Sequence, residues 1–167
     1  MRDKQKGFSL IELLIVVAII LIIAAIAIPN LIRSKMAANE ASAVASLRTV
    51  NTAEVVYSST YSVPSVFSID LPSLSDGGTP TTNCQTPAPS SSFACLIDFA
   101  IASATSKTVS KSGYYLTYGT TGGNGTYDLN NDPVTVNSTG VRQFYTNQTL
   151  VIRQNTGAAA TNSSNPI

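Results

Sequence analysis

From Phe8 to Ile32 the sequence reads FSLIELLIVVAIILIIAAIAIPNLI, apolar almost without a break. About 20 apolar residues suffice to cross a bilayer as a helix, and a helix apolar on every face has to bury in lipid or among other helices. The short head before it carries Arg2, Lys4 and Lys6 against Asp3. Positive charge stays on the cytoplasmic side, so the bulk of the chain is expected outside. A cleaved secretory signal is the alternative, because Ala25-Ile26-Ala27 imitates an A-x-A cleavage site. Secretory signals, however, carry apolar regions of only about 7–15 residues. This run is longer, and it contains an acid.

That acid is Glu12. A carboxylate in hydrocarbon is costly unless paired, which makes an intramembrane acid a functional candidate. The nearby cations lie in the head, ahead of the apolar run. Cleavage after Gly7 would supply another, a free α-amino group on Phe8, four residues ahead of Glu12. In a bundle of such helices the amine of one could meet the acid of a neighbour. A carboxylate tolerated near the interface, neutralised by protonation, is the other reading.

The segment Lys6-Gly7-Phe8-Ser9-Leu10-Ile11-Glu12-Leu13-Leu14, followed by the long apolar run, resembles the prepilin signature of type IV pilins and type II secretion pseudopilins. The resemblance covers roughly residues 4 to 61. It implies a prepilin peptidase that cuts between Gly7 and Phe8 and N-methylates the new amine. It places Glu12 where the family's glutamate pairs with a neighbouring subunit's N-terminus, and it implies assembly by an inner-membrane machinery into a filament of identical subunits. The precursor would sit in the inner membrane with its head outside the cytoplasm, and the mature subunit in an extracellular filament. Family filaments lose helicity just before the position of Pro29; the family often has a glycine where this chain has Leu21. Loss of Met1–Gly7 would remove three cations and one anion, turning the net charge from +1 to −1. Near-neutrality suits subunits packed side by side.

The remainder argues against chemistry. The sequence has no His, which removes the commonest general base and neutral metal ligand. Charged residues make up 11% of the chain, against roughly 25% in an average soluble domain. A net charge of +1 gives no broadly basic surface for nucleic acid. Cys84 and Cys95 are too few for a four-cysteine zinc site, and in a polar, exported region they are expected to form a disulfide. Asp128, Asn130, Asn131 and Asp132 gather oxygen ligands in what reads as a loop, a weak candidate for Ca²⁺ and otherwise an Asx-rich turn. No cofactor is expected apart from that cation, and no enzyme activity.

The organisation expected is a leader over 1–7, an N-terminal helix over 8–61 and a head over 62–167. The helix is expected to span the membrane or the filament core over 8–32. Pro29 falls inside the helical pattern and should kink or loosen it locally. Past it, Met36, Ala43, Leu47, Val50, Glu54, Tyr57 and Tyr61 form one stripe, with Arg33, Lys35, Glu40, Arg48 and Asn51 mostly off it. Residues 62–92 are Pro-, Ser- and Thr-rich, and 92–104 suggests a short second helix or a buried strand. Strand-like stretches follow at 113–118, 126–129, 140–146 and 149–153, with a Gly122–Gly125 turn and an Asn147-Gln148 hairpin. The tail from Asn155 reads as mobile. The fold class is therefore α+β, a long N-terminal helix packed on a small antiparallel sheet, the lollipop-shaped pilin fold that the resemblance implies. The competing functions are a type IV pilus subunit, a major-type pseudopilin of a type II secretion system, and a membrane-tethered periplasmic enzyme, for which the head offers no polar constellation.

Overall fold

The dominant element is one helix, α1, over Leu10–Thr60. The structure is a computed structural model and describes residues 8–61, 66–76, 84, 89–121 and 125–167. The leader, much of the 62–92 segment and most of the Gly122–Gly125 turn lie outside them. The chain divides into two units, Met1–Lys35 and Met36–Ile167, and α1 contributes to both. In the first, the helix is the whole of the described structure.

In the second unit five strands form an antiparallel sheet in sequence order: β1 (Tyr114–Thr121), β2 (Thr126–Pro133), β3 (Arg142–Asn147), β4 (Arg153–Thr156) and β5 (Asn165–Pro166). β2 alternates in burial along its length, as expected of a strand with one face on a core. Tyr127, Leu129 and Asn131 point inward and meet the helix stripe of Ala43, Leu47, Val50 and Tyr57, together with Tyr114, Leu116 and Phe144. The stripe read from the sequence is thus the buried one, with Met36 and Tyr61 at its half-exposed ends. It is wider than that reading allowed. Glu40 and Asn51, expected off the stripe, are both buried, because polar partners on the sheet reach past its apolar centre.

Two short helices close the other side. In α2 (Leu71–Leu74), Asp70 caps the N-terminus by accepting from Ser73 N–H, and Pro72 sits in the first turn, where a missing N–H costs nothing. α3 is a single turn, Phe99–Ala102, capped by Asp98. It is shorter than the helix expected over 92–104. The reason is local: Ala94 and Leu96 donate their N–H groups to Ser73 and Leu74 carbonyls at 2.8 and 2.7 Å, which holds them outside any helix.

Two further differences concern the C-terminal strands. Asn147 and Gln148 do not form a two-residue hairpin. Asn147 ends β3, and its Oδ1 accepts from Thr149 N–H (3.1 Å) and Oγ1–H (2.6 Å), an Asx turn that carries the chain away before β4 begins at Arg153. Leu150 follows with φ +63°, so the β-prone Leu150–Ile152 stretch is loop. The tail from Asn155 is not loose either. It contributes to β4 and β5, buries Ala160, and Asn130 Nδ2 donates to Ala160 O at 2.9 Å. Backbone pairing and side-chain bonds, among them Arg153 Nη1–H donating to Ser164 O at 2.9 Å, supply order that the polar composition did not advertise.

Gly140 illustrates how closely this packing is set. A Cβ there would lie 1.9 Å from the Tyr114 hydroxyl oxygen, which donates to Arg142 O at 2.7 Å. Gly140→Ala is expected to destabilise the head by about 2 kcal/mol, read as a fall in thermal midpoint.

Candidate assembly interface

The 8–35 segment is helix with nothing over it. The first buried residue of α1 is Glu40, and before it the large side chains from Phe8 (78% exposed) to Ile32 are open on every face. Among the described residues α1 is the one helix long and apolar enough to cross a membrane. Such a surface is stable in lipid or against similar helices and not in water. Pro29 lies inside α1, with helical residues on both sides. Having no N–H, it leaves the Ala25 carbonyl without its usual i+4 donor.

Glu12 has a role at the helix start that the sequence reading missed. Ser9 is the N-cap residue: its carbonyl accepts from Glu12 N–H at 3.1 Å and Leu13 N–H at 3.3 Å. Glu12 Oε2 reaches back to accept from Ser9 N–H at 2.9 Å. This is one half of a capping box, whose S-x-x-E signature stands in Ser9-Leu10-Ile11-Glu12. The acid also lies in the first turn, where the helix dipole favours negative charge. A carboxylate accepts more bonds than this cap uses, so capping and pairing with a second donor are compatible.

In the second unit three polar side chains of α1 tie the helix to the sheet. Glu40 Oε1 accepts from Val141 and Arg142 N–H at 2.9 and 3.1 Å, and Oε2 pairs with Arg142 Nε at 2.7 Å. Asn51 Nδ2 donates to Thr146 Oγ1 at 2.9 Å, and its Oδ1 accepts from Tyr127 OH at 2.9 Å. Glu54, 0% exposed, accepts from Ser68 N–H (3.0 Å), Ser68 Oγ–H (2.6 Å) and Tyr118 OH (2.5 Å). One of these donors is backbone and two are hydroxyls. Burial, reinforced by the charge of Glu54, pushes the Tyr118 phenol far above its ordinary value, so it stays a donor.

Burial alone would raise the Glu40 carboxyl, but the Val141 and Arg142 N–H groups and the Arg142 guanidinium outweigh it and hold it below its ordinary 4.5. A depressed carboxyl contributes stability that is complete above its unfolded-state value and is lost as pH falls through the folded one. Glu40→Gln is expected to cost about 1–2 kcal/mol at neutral pH, since Arg142 is half exposed and screened. Thermal midpoints of the variant and the parent should converge on acidification below that range.

Cys84 and Cys95 form a disulfide with Cα atoms 5.7 Å apart, and the chain enters it with Cys95 at φ +57°. The calcium candidates are not in a loop. All lie in β2, so alternation sends Asn131 inward, where it donates to Ala43 O at 3.1 Å, and puts Asp128, Asn130 and Asp132 on the opposite face. There Asp128 accepts from Tyr145 OH and Asn130 is bonded to Ala160. The spacing that looked like a ligand loop is the period of a strand. Among the described residues no three His, Cys, Asp or Glu side chains converge on a metal position.

Residues 2–28 match the family of the prokaryotic N-terminal methylation motif. The chain is also similar to the type IV major pilin protein PilA of Myxococcus xanthus, 47% identical over 53 residues, which make up 32% of this chain and 24% of that protein. Over this segment the chain is similar to type IV pilins. A further type IV relative is the wide pilus major component PilA4 of Thermus thermophilus, 60% identical over 37 residues, 22% of this chain and 28% of that protein. The match thus spans about a quarter of the length of each curated pilin. No solved structure matches the chain. In type IV pilin terms, Phe8 and Glu12 stand at the start of the exposed apolar helix, and Gly7 lies outside the described residues.

Proposed function

We propose that the chain is a structural subunit of an extracellular type IV pilus-like filament and acts without enzymatic activity. The observation that carries this reading is the helix that begins at Leu10 within a methylation motif, its large apolar side chains exposed through Ile32. Residues 1–7 are a leader, removed by a prepilin peptidase between Gly7 and Phe8, with methylation of the Phe8 amine. Before cleavage the subunit waits in the inner membrane, its Arg2, Lys4 and Lys6 in the cytoplasm and residues 62–167 outside. Inner-membrane assembly machinery then transfers it to a bundle of identical helices, where apolar faces bury one another. Glu12 receives the Phe8 amine of a neighbour, and Pro29 provides local freedom in the helix as subunits pack.

Mass spectrometry of the mature protein tests the processing step. A chain beginning at N-methylated Phe8 is expected, and any other N-terminus overturns it. Deletion of the gene separates this reading from that of a type II secretion pseudopilin. Loss of surface fibres with protein secretion intact is expected, and lost secretion with fibres intact would favour the pseudopilin.

A further inference from the structure

The 36–167 unit has a mostly apolar groove of about 680 Å³ between α1 and the β3–β4 loop, with Arg48, Asn51, Thr52 and Val55 on the helix side and Leu150 to Ile152 and Ile167 facing them. Its far wall is the loop between β3 and β4, and that loop is held firmly. Asn147 caps it, Leu150 N–H donates to Asn147 O at 2.8 Å, and Leu150 O accepts from Asn51 Nδ2 at 3.4 Å. Leu150 sits at φ +63° with its side chain exposed. A left-handed conformation costs a bulky residue on the order of 1 kcal/mol or more, yet here it serves to hold a leucine in solvent. Exposed aliphatic groups around a fixed groove mark an interaction site.

The occupant is indicated by charge. Arg48 is the one ionised side chain of the lining, so the complement is an aliphatic side chain beside a carboxylate. Among the described residues of this unit one place offers that. Ile69 is 63% exposed and is followed by exposed Asp70; the other exposed acid, Asp98, adjoins buried Ile97 and half-buried Phe99. Ile69 is also fixed in space, because Ser68 before it is bonded to Glu54 and Tyr118 and Asp70 after it caps α2. The two features lie on opposite flanks of the unit. Ser68 is tied to β1, one edge of the sheet, and the groove opens beside the β3–β4 loop towards the other.

From this we infer that the groove receives Ile69 and Asp70 of a second copy of the chain, Ile69 against Val55 and Leu150 and Asp70 towards Arg48. Each copy then offers one groove and one knob. Unlike patches that meet head to tail propagate an open helical assembly instead of closing a two-fold dimer. The contact rests on the filament reading and adds to it a specific lateral joint between heads, separate from the helix bundle.

The test uses the full-length chain in filaments sheared from cells. In the double variant Ile69→Cys/Val151→Cys, mild oxidation should produce a ladder of covalent oligomers that neither single variant gives. Filaments that form but yield no ladder overturn the joint and leave the filament reading standing; a parent chain that forms no filament overturns both. Arg48→Glu is expected to lower filament yield at least tenfold with membrane levels of subunit unchanged, and Asp70→Asn, which still caps α2, to lower it in the same direction. An undiminished yield from Arg48→Glu counts against the pairing, and binding of a small apolar acid in the groove of assembled filaments would assign the groove to a ligand instead.

Discussion

Glu12→Gln is expected to abolish filaments while leaving the chain processed and in the membrane. Glutamine at this position still reaches back to Ser9 N–H, because either Glu or Gln completes a capping box. Helix initiation is therefore retained and only the charge is lost. Were Glu12 needed solely to cap α1, Gln would assemble normally and even Ala would cost only about 1 kcal/mol. Under the proposed pairing, the neighbour's Phe8 ammonium is left in an apolar bundle without a counter-charge. Removing one partner of a buried pair costs about 3–5 kcal/mol, a drop of roughly a hundredfold to a few thousandfold in the equilibrium for adding one subunit. Electron microscopy with quantification of sheared filament measures it, and near-parental filament from Glu12→Gln would reduce the residue to a cap.

Glu54→Ala is expected to cost about 3–4 kcal/mol of head stability. Three donors converge on this carboxylate with no exposure to solvent, and truncation leaves them unpaired around a cavity. For a unit of this size that lowers the thermal midpoint by roughly 10 °C, measurable on the intact chain in detergent by its tyrosine signal. Glutamine is a poor substitute here, because its NH₂ would face either Ser68 N–H or a hydroxyl that is already a donor. A midpoint within a few degrees of the parent would mean that Ser68 and Tyr118 find other acceptors.

The parts of this molecule that obey one period were legible in the sequence. The apolar run and the 36–61 stripe each repeat a geometry that a helix imposes, the β-prone 113–118 stretch carries a strand's residue preference, and the structure buries or exposes them accordingly. What escaped was set by partners far along the chain. Glu40 looks solvated until Val141 and Arg142 arrive, and Asn51 until Thr146 and Tyr127 do. The polar run from Asp128 to Asp132 imitated a loop because it has the composition of one; cross-strand pairing with β1 and β3 decides otherwise. The Ser9–Glu12 cap was a different miss. Its S-x-x-E signature stands in the sequence, but the cost of an acid in hydrocarbon points to a partner across from Glu12, whereas the partner in the structure is the residue three positions before it.

The order of the strands has a consequence for export. Each strand pairs with the one before it in sequence, so under the proposed route of export the sheet can grow as the chain emerges, without waiting for distant segments. The helix has no such freedom. Its ties to β3 close loops of 95 to 102 residues, and until those residues have crossed, Leu47 and Val50 have no cover from Phe144. Translocation and folding therefore finish together. A chain stopped short of β3 displays its apolar stripe, and under the proposed function that exposed stripe is a ready cue by which an unfinished subunit can be told from a complete one before it enters a fibre.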